Sequence, residues 1–114
     1  MKRLVEIRTY RLKPGSAESF YKTMTEQALP MVRASGMEVV AYGRSQHEEE
    51  TYFLARAYDD QAQLVAQQDA FYNSSAWRTG PREALVSCLD TYLNTLVWLS
   101  QASIDDMKRL NTSM

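Results

Sequence analysis

Residues that hold metals or make disulfides are scarce in this chain. The single cysteine, Cys88, excludes an intramolecular disulfide and a thiolate cluster, and we expect it to be a small buried residue. The single histidine, His47, stands in the acidic segment QHEEE at residues 46–50, which is typical of a solvated turn. A histidine-rich metal site, an axial haem ligand or a Ser-His-Asp triad would each need this badly placed residue. We therefore predict no metal and no other cofactor.

Long apolar runs and an excess charge of one sign are also missing. The most apolar run, residues 93–99, is far shorter than the ~20 residues that cross a bilayer, and it contains Asn94 and Thr95. Basic and acidic residues number 13 and 14, so the net charge of -1 gives no general attraction to nucleic acid or to an anionic membrane. The N-terminal segment places Glu6 and Arg8 where a signal peptide would be apolar. We expect a soluble, cytoplasmic protein with no nucleic-acid and no membrane partner.

A regular succession of strand and helix patterns fills the 114 residues, which is the usual size of one domain. Alternation of apolar and polar residues predicts strands over residues 4–12, 37–45, 51–58 and 89–99. Helical spacing predicts one helix after Ser16, with a kink or a fresh turn at Pro30. A second helix should follow the N-cap candidates Asp59 and Asp60. Shorter helical pieces are predicted through Trp77 and from Arg82 to about Val86.

The order β-α-β-β-α-β predicts an α+β, ferredoxin-like fold, in which an antiparallel sheet carries both helices on one face. We assign residues 1–100 to this domain and residues 101–114 to a C-terminal tail. Ile104, Met107 and Leu110 would share one side of a helix in that tail. We expect the helices to cover the apolar faces of the strands. A second copy of the chain would then cover the opposite face, because closed two-fold dimers are the commonest oligomers.

Each predicted strand has a mixed face, rich in tyrosine, arginine and acidic side chains. The mixed faces comprise Glu6, Arg8 and Tyr10; Tyr42 and Arg44; Tyr52, Arg56 and Tyr58; and Asp90, Tyr92 and Trp98. As a pocket, this surface would offer an arginine to a carboxylate or phenolate ligand, with tyrosines as walls. The candidate ligand-binding residues are Tyr10, Tyr42, Arg44, Arg56, Tyr58, Tyr92 and, near the rim, Trp77.

Glu6, Arg8 and Asp90 are the candidate catalytic residues on the mixed faces. Glu6 or Asp90 could accept a proton if burial raised its pKa toward neutrality, beside the charge of Arg8. The alternative is equally physical. The acids would pair with arginines across strands or across a dimer, and the tyrosines would fill an interface.

Three segments of the chain resemble the NIPSNAP family, a branch of the dimeric α+β barrel superfamily. They are EIRTYRLKPG at residues 6–15, FYNSSAW at residues 71–77 and REALVSCLDTYLNTLVWL at residues 82–99, and the similarity spans about residues 4–99. The resemblance implies a homodimer, or a higher oligomer of dimers, in which two sheets pack face to face with their mixed faces inward. It implies little about a reaction, because the superfamily includes cofactor-free monooxygenases, isomerases, haem enzymes and stress-response proteins.

Two classes of function remain open. The first is binding of a small organic molecule, aromatic or with a carbonyl or carboxylate group, in a barrel pocket. Such a protein could be a cofactor-independent monooxygenase or an isomerase. The second is a non-catalytic dimeric binding or scaffolding protein whose mixed face is mostly interface.

Overall fold

A four-stranded antiparallel sheet forms the centre of the protein in the computed structural model, which describes residues 1–111. The strands are β1 (Lys2–Leu12), β2 (Glu38–Gly43), β3 (Thr51–Tyr58) and β4 (Leu89–Ser100). Their order in the sheet is β2-β3-β1-β4, with every neighbouring pair antiparallel. The helices are α1 (Ala17–Thr23), α2 (Leu29–Ala34), α3 (Gln61–Tyr72), α4 (Ser75–Thr79), α5 (Arg82–Cys88) and α6 (Gln101–Asn111). The predicted α+β, ferredoxin-like fold is confirmed.

A π-helical segment, Met24–Ala28, joins α1 to α2 close to Pro30. Proline has no backbone N–H, so the usual bond from this residue to the carbonyl four residues earlier cannot form. The backbone N–H of Leu29 instead donates to the carbonyl of Met24, which is five residues earlier. The irregularity that the sequence predicts at Pro30 is therefore present as one wide helical turn.

The mixed faces of the strands lie under the helices, which corrects the predicted orientation of the sheet. Tyr10 and Leu54 pack against Phe20 of α1 in one part of the core, and Tyr58 packs in another part with Phe71 of α3. We expected the apolar faces to meet the helices and the mixed faces to point toward a partner subunit. That expectation was wrong because the ring of tyrosine and the methylene chain of arginine are apolar and can pack in a core. Their hydroxyl and guanidinium groups can meanwhile pair with one another.

The other face of the sheet carries smaller apolar side chains and is partly covered by α6. Val5, Ala55 and Ala57 form a core cluster there with Ile104, which is fully buried. Leu110 of the same helix is exposed. Within residues 1–111, none of the helices is long and apolar enough to span a membrane.

Candidate functional site

A cavity of about 330 Å³ lies between the mixed face of the sheet and the helices, within the range of roughly 300–1,000 Å³ that is common for ligand sites. Its inner wall is formed by buried side chains of the sheet and of the segment from α1 to α2, and its mouth by exposed residues of α5 and β4. The lining residues are Arg8, Tyr10, Phe20, Met24, Ala28, Val32, Leu54, Gln68, Phe71, Tyr72, Trp77, Arg82, Leu85, Val86, Leu89 and Tyr92.

Arg8 brings a positive charge into this mostly apolar wall. Its Nε donates to Oδ1 of Asn94 at 2.8 Å, and its Nη2 lies 3.5 Å from Oε2 of Glu6. The guanidinium also stands over the ring of Tyr92, 5.0 Å from the ring centroid, where the π-face attracts a cation. These contacts hold Arg8 at the cavity surface.

A buried ion pair supports the cavity from behind. Glu6 and Arg56 are directly opposite on β1 and β3, and Nη2 of Arg56 donates to Oε1 of Glu6 at 2.6 Å. The other carboxylate oxygen of Glu6 accepts from Nε2 of Gln68 at 3.0 Å. Two strands and α3 therefore meet at one carboxylate, which lies behind the cavity wall.

The environment of Glu6 does not suit a proton acceptor. Burial by itself would raise the pKa of Glu6, but the charge of Arg56, the hydrogen bond from Gln68 and the charge of Arg8 together lower it. Our hypothesis for Glu6 required a pKa raised by burial, and this condition is not met. The carboxylate instead acts as the shared anion of two arginines.

Tyr10 remains a neutral phenol at the inner end of the cavity. Burial, with a further contribution from Tyr72, raises the pKa of Tyr10 to about 12. Its ring packs against Phe20, with the ring centroids 5.3 Å apart, and against Tyr92 at 6.2 Å. The residue combines an apolar wall with a hydroxyl group that keeps its proton at neutral pH.

The structure divides the predicted site residues into three groups. Those that line the cavity are Arg8, Tyr10, Trp77 and Tyr92, and those packed behind it are Glu6, Arg56 and Tyr58. Those that lie outside it are Tyr42, Arg44 and Asp90.

Each of the outlying residues has a local reason for its position. Arg44 follows the end of β2 and donates to the hydroxyl of Tyr21 at 3.0 Å, while Tyr42 packs under the guanidinium of Arg33. Asp90 is exposed and has no paired residue on β1, because the register shifts there between Arg11 and Leu12. A strand alternation read from sequence cannot detect such a shift.

Two residues of α3, Gln68 and Tyr72, reach the site but were not among our candidates. The two residues are four positions apart in α3, so they lie on the same side of the helix, one turn apart. The hydroxyl of Tyr72 accepts from Nη1 of Arg56 at 2.9 Å and from Nη1 of Arg8 at a longer 3.4 Å. The sequence contains one signal for these two residues. A glutamine lies four residues before a tyrosine, on a helix side that is otherwise apolar.

His47 lies outside the cavity, in the turn between β2 and β3, where 70% of its side chain is exposed. Cys88 is a free, buried thiol in the core, as we predicted. Within residues 1–111, the side chains of histidine, cysteine, aspartate and glutamate do not gather in groups of three or more that could hold a metal ion.

Comparison with known protein families identifies the chain. The model of the NIPSNAP family matches residues 5–98, which is most of the sequence. The chain belongs to the NIPSNAP family. No curated protein matches this NIPSNAP chain.

Solved structures of other NIPSNAP proteins share the fold. An uncharacterized NIPSNAP domain protein from Burkholderia xenovorans is 22% identical, with a TM-score of 0.75 over 86% of this chain and 95% of its own. A NIPSNAP family protein from Agrobacterium tumefaciens is 14% identical, with a TM-score of 0.80 over 90% of each chain. A predicted antibiotic biosynthesis monooxygenase from Nitrosomonas europaea is 14% identical, with a TM-score of 0.64 over 83% of this chain and 88% of its own. At these identities the likeness concerns the fold alone.

Proposed function

We propose that this NIPSNAP protein binds a small organic molecule with an apolar or aromatic body and a carbonyl, carboxylate or phenolate oxygen. The observation that carries the proposal is the position of Arg8, whose guanidinium lies in the wall of an otherwise apolar and aromatic cavity. An arginine in a low-dielectric wall binds an oxygen acceptor strongly, and aromatic walls bury the rest of the ligand.

The charge of the lining supports an anionic or electron-rich ligand. Arg82 stands at the mouth and Arg8 further in, while the lining contributed by residues 1–111 contains no aspartate or glutamate. Glu6 neutralises part of the charge of Arg8 from behind the wall. The balance of charge at the cavity surface is positive, so a cationic ligand is disfavoured.

Cofactor-independent oxygenation is the second candidate function. Arg8 could hold a phenolate, the form of a phenol that reacts with molecular oxygen, and the fold is shared with the predicted monooxygenase from Nitrosomonas europaea. An isomerase that abstracts a proton is less favoured, because Glu6, the carboxylate paired with Arg8 behind the cavity wall, has a lowered pKa and two arginine partners.

A binding titration with three naphthalene derivatives tests the proposal. The probes are 2-naphthoate, 2-acetonaphthone and 2-isopropenylnaphthalene, which present a carboxylate, a carbonyl and a hydrocarbon group on one ring system. We expect NMR shifts of the methyl group of Met24 in the cavity and the tightest binding for 2-naphthoate. Arg8→Met should weaken 2-naphthoate at least about tenfold, because a charge-assisted hydrogen bond is lost.

Arg11→Met is the matched control, because it removes the same charge from an exposed position of the same strand. It should leave the affinity for 2-naphthoate within about twofold of the wild type, since exposed charges act weakly through water. If none of the three probes shifts the Met24 signal at millimolar concentration, small-molecule binding in this cavity is refuted. The non-catalytic scaffolding function would then be preferred.

We also propose that the protein is a homodimer formed through the sheet face opposite the cavity. Leu93 on β4 is 74% exposed, and its register partner Thr9 and the nearby Phe53 and Ile7 are only partly covered. This uncharged patch lies beside an edge strand with an unpaired row of backbone groups. A second copy suits it, because an uncharged patch can pack against itself about a two-fold axis.

Light scattering on the purified protein tests the dimer. We expect the mass of two chains for the wild type and of one chain for Leu93→Glu, which would bury two like charges near the symmetry axis. Val65→Glu makes the same change at a half-exposed position on the outer side of α3, and it should remain dimeric. A monomeric wild type at micromolar concentration would contradict the proposal.

A further inference from the structure

The hydroxyl group of Tyr72 has an unusual set of neighbours. Its oxygen accepts from Nη1 of Arg56 at 2.9 Å and, more weakly, from Nη1 of Arg8 at 3.4 Å. A phenolic oxygen accepts about two hydrogen bonds and donates one. Both accepting positions of Tyr72 are therefore directed at guanidinium groups.

The proton of this hydroxyl cannot go to either arginine, because a guanidinium has no acceptor. The side chains and backbone of residues 1–111 supply the Tyr72 hydroxyl with two donors and no acceptor. Tyr72 lines the cavity. The O–H bond is thus left to point away from the two arginines, and a ligand in the cavity that Tyr72 lines could supply its acceptor.

We propose that Tyr72 donates a hydrogen bond to the oxygen of the ligand and so determines specificity for carbonyl, carboxylate and phenolate compounds. The inference rests on the proposed function, since it concerns the same cavity. It adds a donor that does not depend on ligand charge. Arg8 favours an anion, whereas Tyr72 also recognises a neutral ketone or ester through its carbonyl oxygen.

Arg56 is the positioning residue in this arrangement. Its side chain is completely buried, and its Nη2 is bound to Glu6 at 2.6 Å, so its Nη1 presents one fixed donor to Tyr72. The ring of Tyr72 is held from its other sides by Phe71 and Trp77, with centroids 5.0 and 5.4 Å away. The two guanidinium donors polarise the phenol and strengthen its own donation.

The test compares the affinities of 2-acetonaphthone and 2-isopropenylnaphthalene, which have the same shape and differ in the carbonyl oxygen. In the wild type the ketone should bind more tightly. Tyr72→Phe keeps the ring and removes the donor, and it should reduce the ketone-to-hydrocarbon affinity ratio by about tenfold. Tyr21→Phe is the matched control, because the one proton of the Tyr21 hydroxyl is shared between the backbone carbonyls of Glu49 and Thr51, outside the cavity. It should leave the ratio unchanged.

A loss of packing alone would weaken both probes equally, so the ratio separates donation from structure. If both probes bind the wild type and Tyr72→Phe preserves the ratio, the role of Tyr72 is refuted while binding in the cavity stands. If neither probe binds, the proposed function itself fails.

An infrared measurement on the wild type decides the case in which Tyr72→Phe does not fold. The carbonyl stretch of bound 2-acetonaphthone should lie below its value in a hydrocarbon solvent, because a donor weakens the C=O bond. In the double variant Arg8→Met, Tyr10→Phe, which removes the guanidinium and the other phenol hydroxyl from the inner part of the cavity, most of this lowering should persist. A stretch at the hydrocarbon value in this double variant would overturn the proposal.

Discussion

Two arginines on neighbouring strands differ in what their surroundings allow them to do. Arg56 and Arg8 both approach Glu6 and Tyr72 on the helix-covered face of the sheet. The side chain of Arg56 is 0% exposed and meets the carboxylate at 2.6 Å, while that of Arg8 is 14% exposed and stands at 3.5 Å. One end of the face is a closed ion pair and the other opens into the cavity.

The difference shows that a fully buried arginine and an arginine in a cavity wall can share one counter-ion, Glu6. The pKa of Arg56 is raised despite its burial, mainly through Tyr72, Tyr58 and Glu6. The side chain of Arg56 is also fully buried and donates to Glu6 and Tyr72, so it does not face a ligand in the cavity. Arg8 keeps a weaker hold on the same carboxylate, which leaves its guanidinium available at the cavity wall.

The largest expected effect comes from removing the buried arginine. Arg56→Met should lower the free energy of unfolding by about 3 kcal/mol, because Glu6 would lose its closest partner while it remains buried. Urea denaturation followed by circular dichroism measures the change. A loss below about 1 kcal/mol would show that Arg8 and Gln68 compensate for Arg56. Arg56 and Arg8 would then not differ in their contribution to stability.

Acid should weaken the buried ion pair of Glu6 and Arg56. The pKa of Glu6 is lowered from its ordinary value of 4.5 in the folded state, so its contribution to stability is present above about pH 4.5 and is lost as the pH falls below it. The difference in unfolding free energy between the wild type and Arg56→Met should therefore narrow below pH 4.5. Urea titrations of both proteins at several pH values check this. A difference that stays constant would mean that Glu6 is not the partner that Arg56 stabilises.

The smallest effect on stability is expected at the cavity end. Arg8→Met should lower the free energy of unfolding by about 1 kcal/mol or less, because the ion pair of Arg8 is long and its guanidinium is partly solvated. The same urea experiment measures it beside Arg56→Met. A cost equal to that of Arg56→Met would place Arg8 in the structural framework and argue against its availability to a ligand.

Local patterns were sufficient to predict the elements of the fold. The third strand was predicted over residues 51–58 and is β3, Thr51–Tyr58. Asp60 caps α3 by accepting from the backbone N–H of Gln63 at 2.8 Å, as its place before the helix indicated. These features depend on neighbouring residues along the chain, which is why sequence predicts them well.

The side of the sheet that meets the helices could not be predicted from alternation. Period-two patterning shows that Glu6 and Arg8 share a face, but both faces of β1 carry apolar residues and either could be covered. The choice depends on tertiary partners. Gln68 and Tyr72 of α3 satisfy the charges on the mixed face, and Ile104 covers part of the opposite one.

The cavity could be predicted only in part for the same reason. Its wall on the sheet follows from Arg8, Tyr10 and Tyr92, which alternation places together. Its other wall comes from helices whose distance from the sheet is a property of packing. Tyr72 is therefore identified as a candidate site residue only by its contacts with Arg8 and Arg56 in the structure.

The wide turn at Met24–Ala28 is a place where the chain could lose one residue without disturbing the helix that follows. In this turn the backbone hydrogen bond spans five residues, whereas it spans four in an α-helix. The turn therefore contains one residue more than an α-helical turn would. A one-residue deletion within it should leave Val32 facing the sheet. The same deletion inside α3 would rotate every later residue of that helix by about 100° and take Tyr72 away from both arginines.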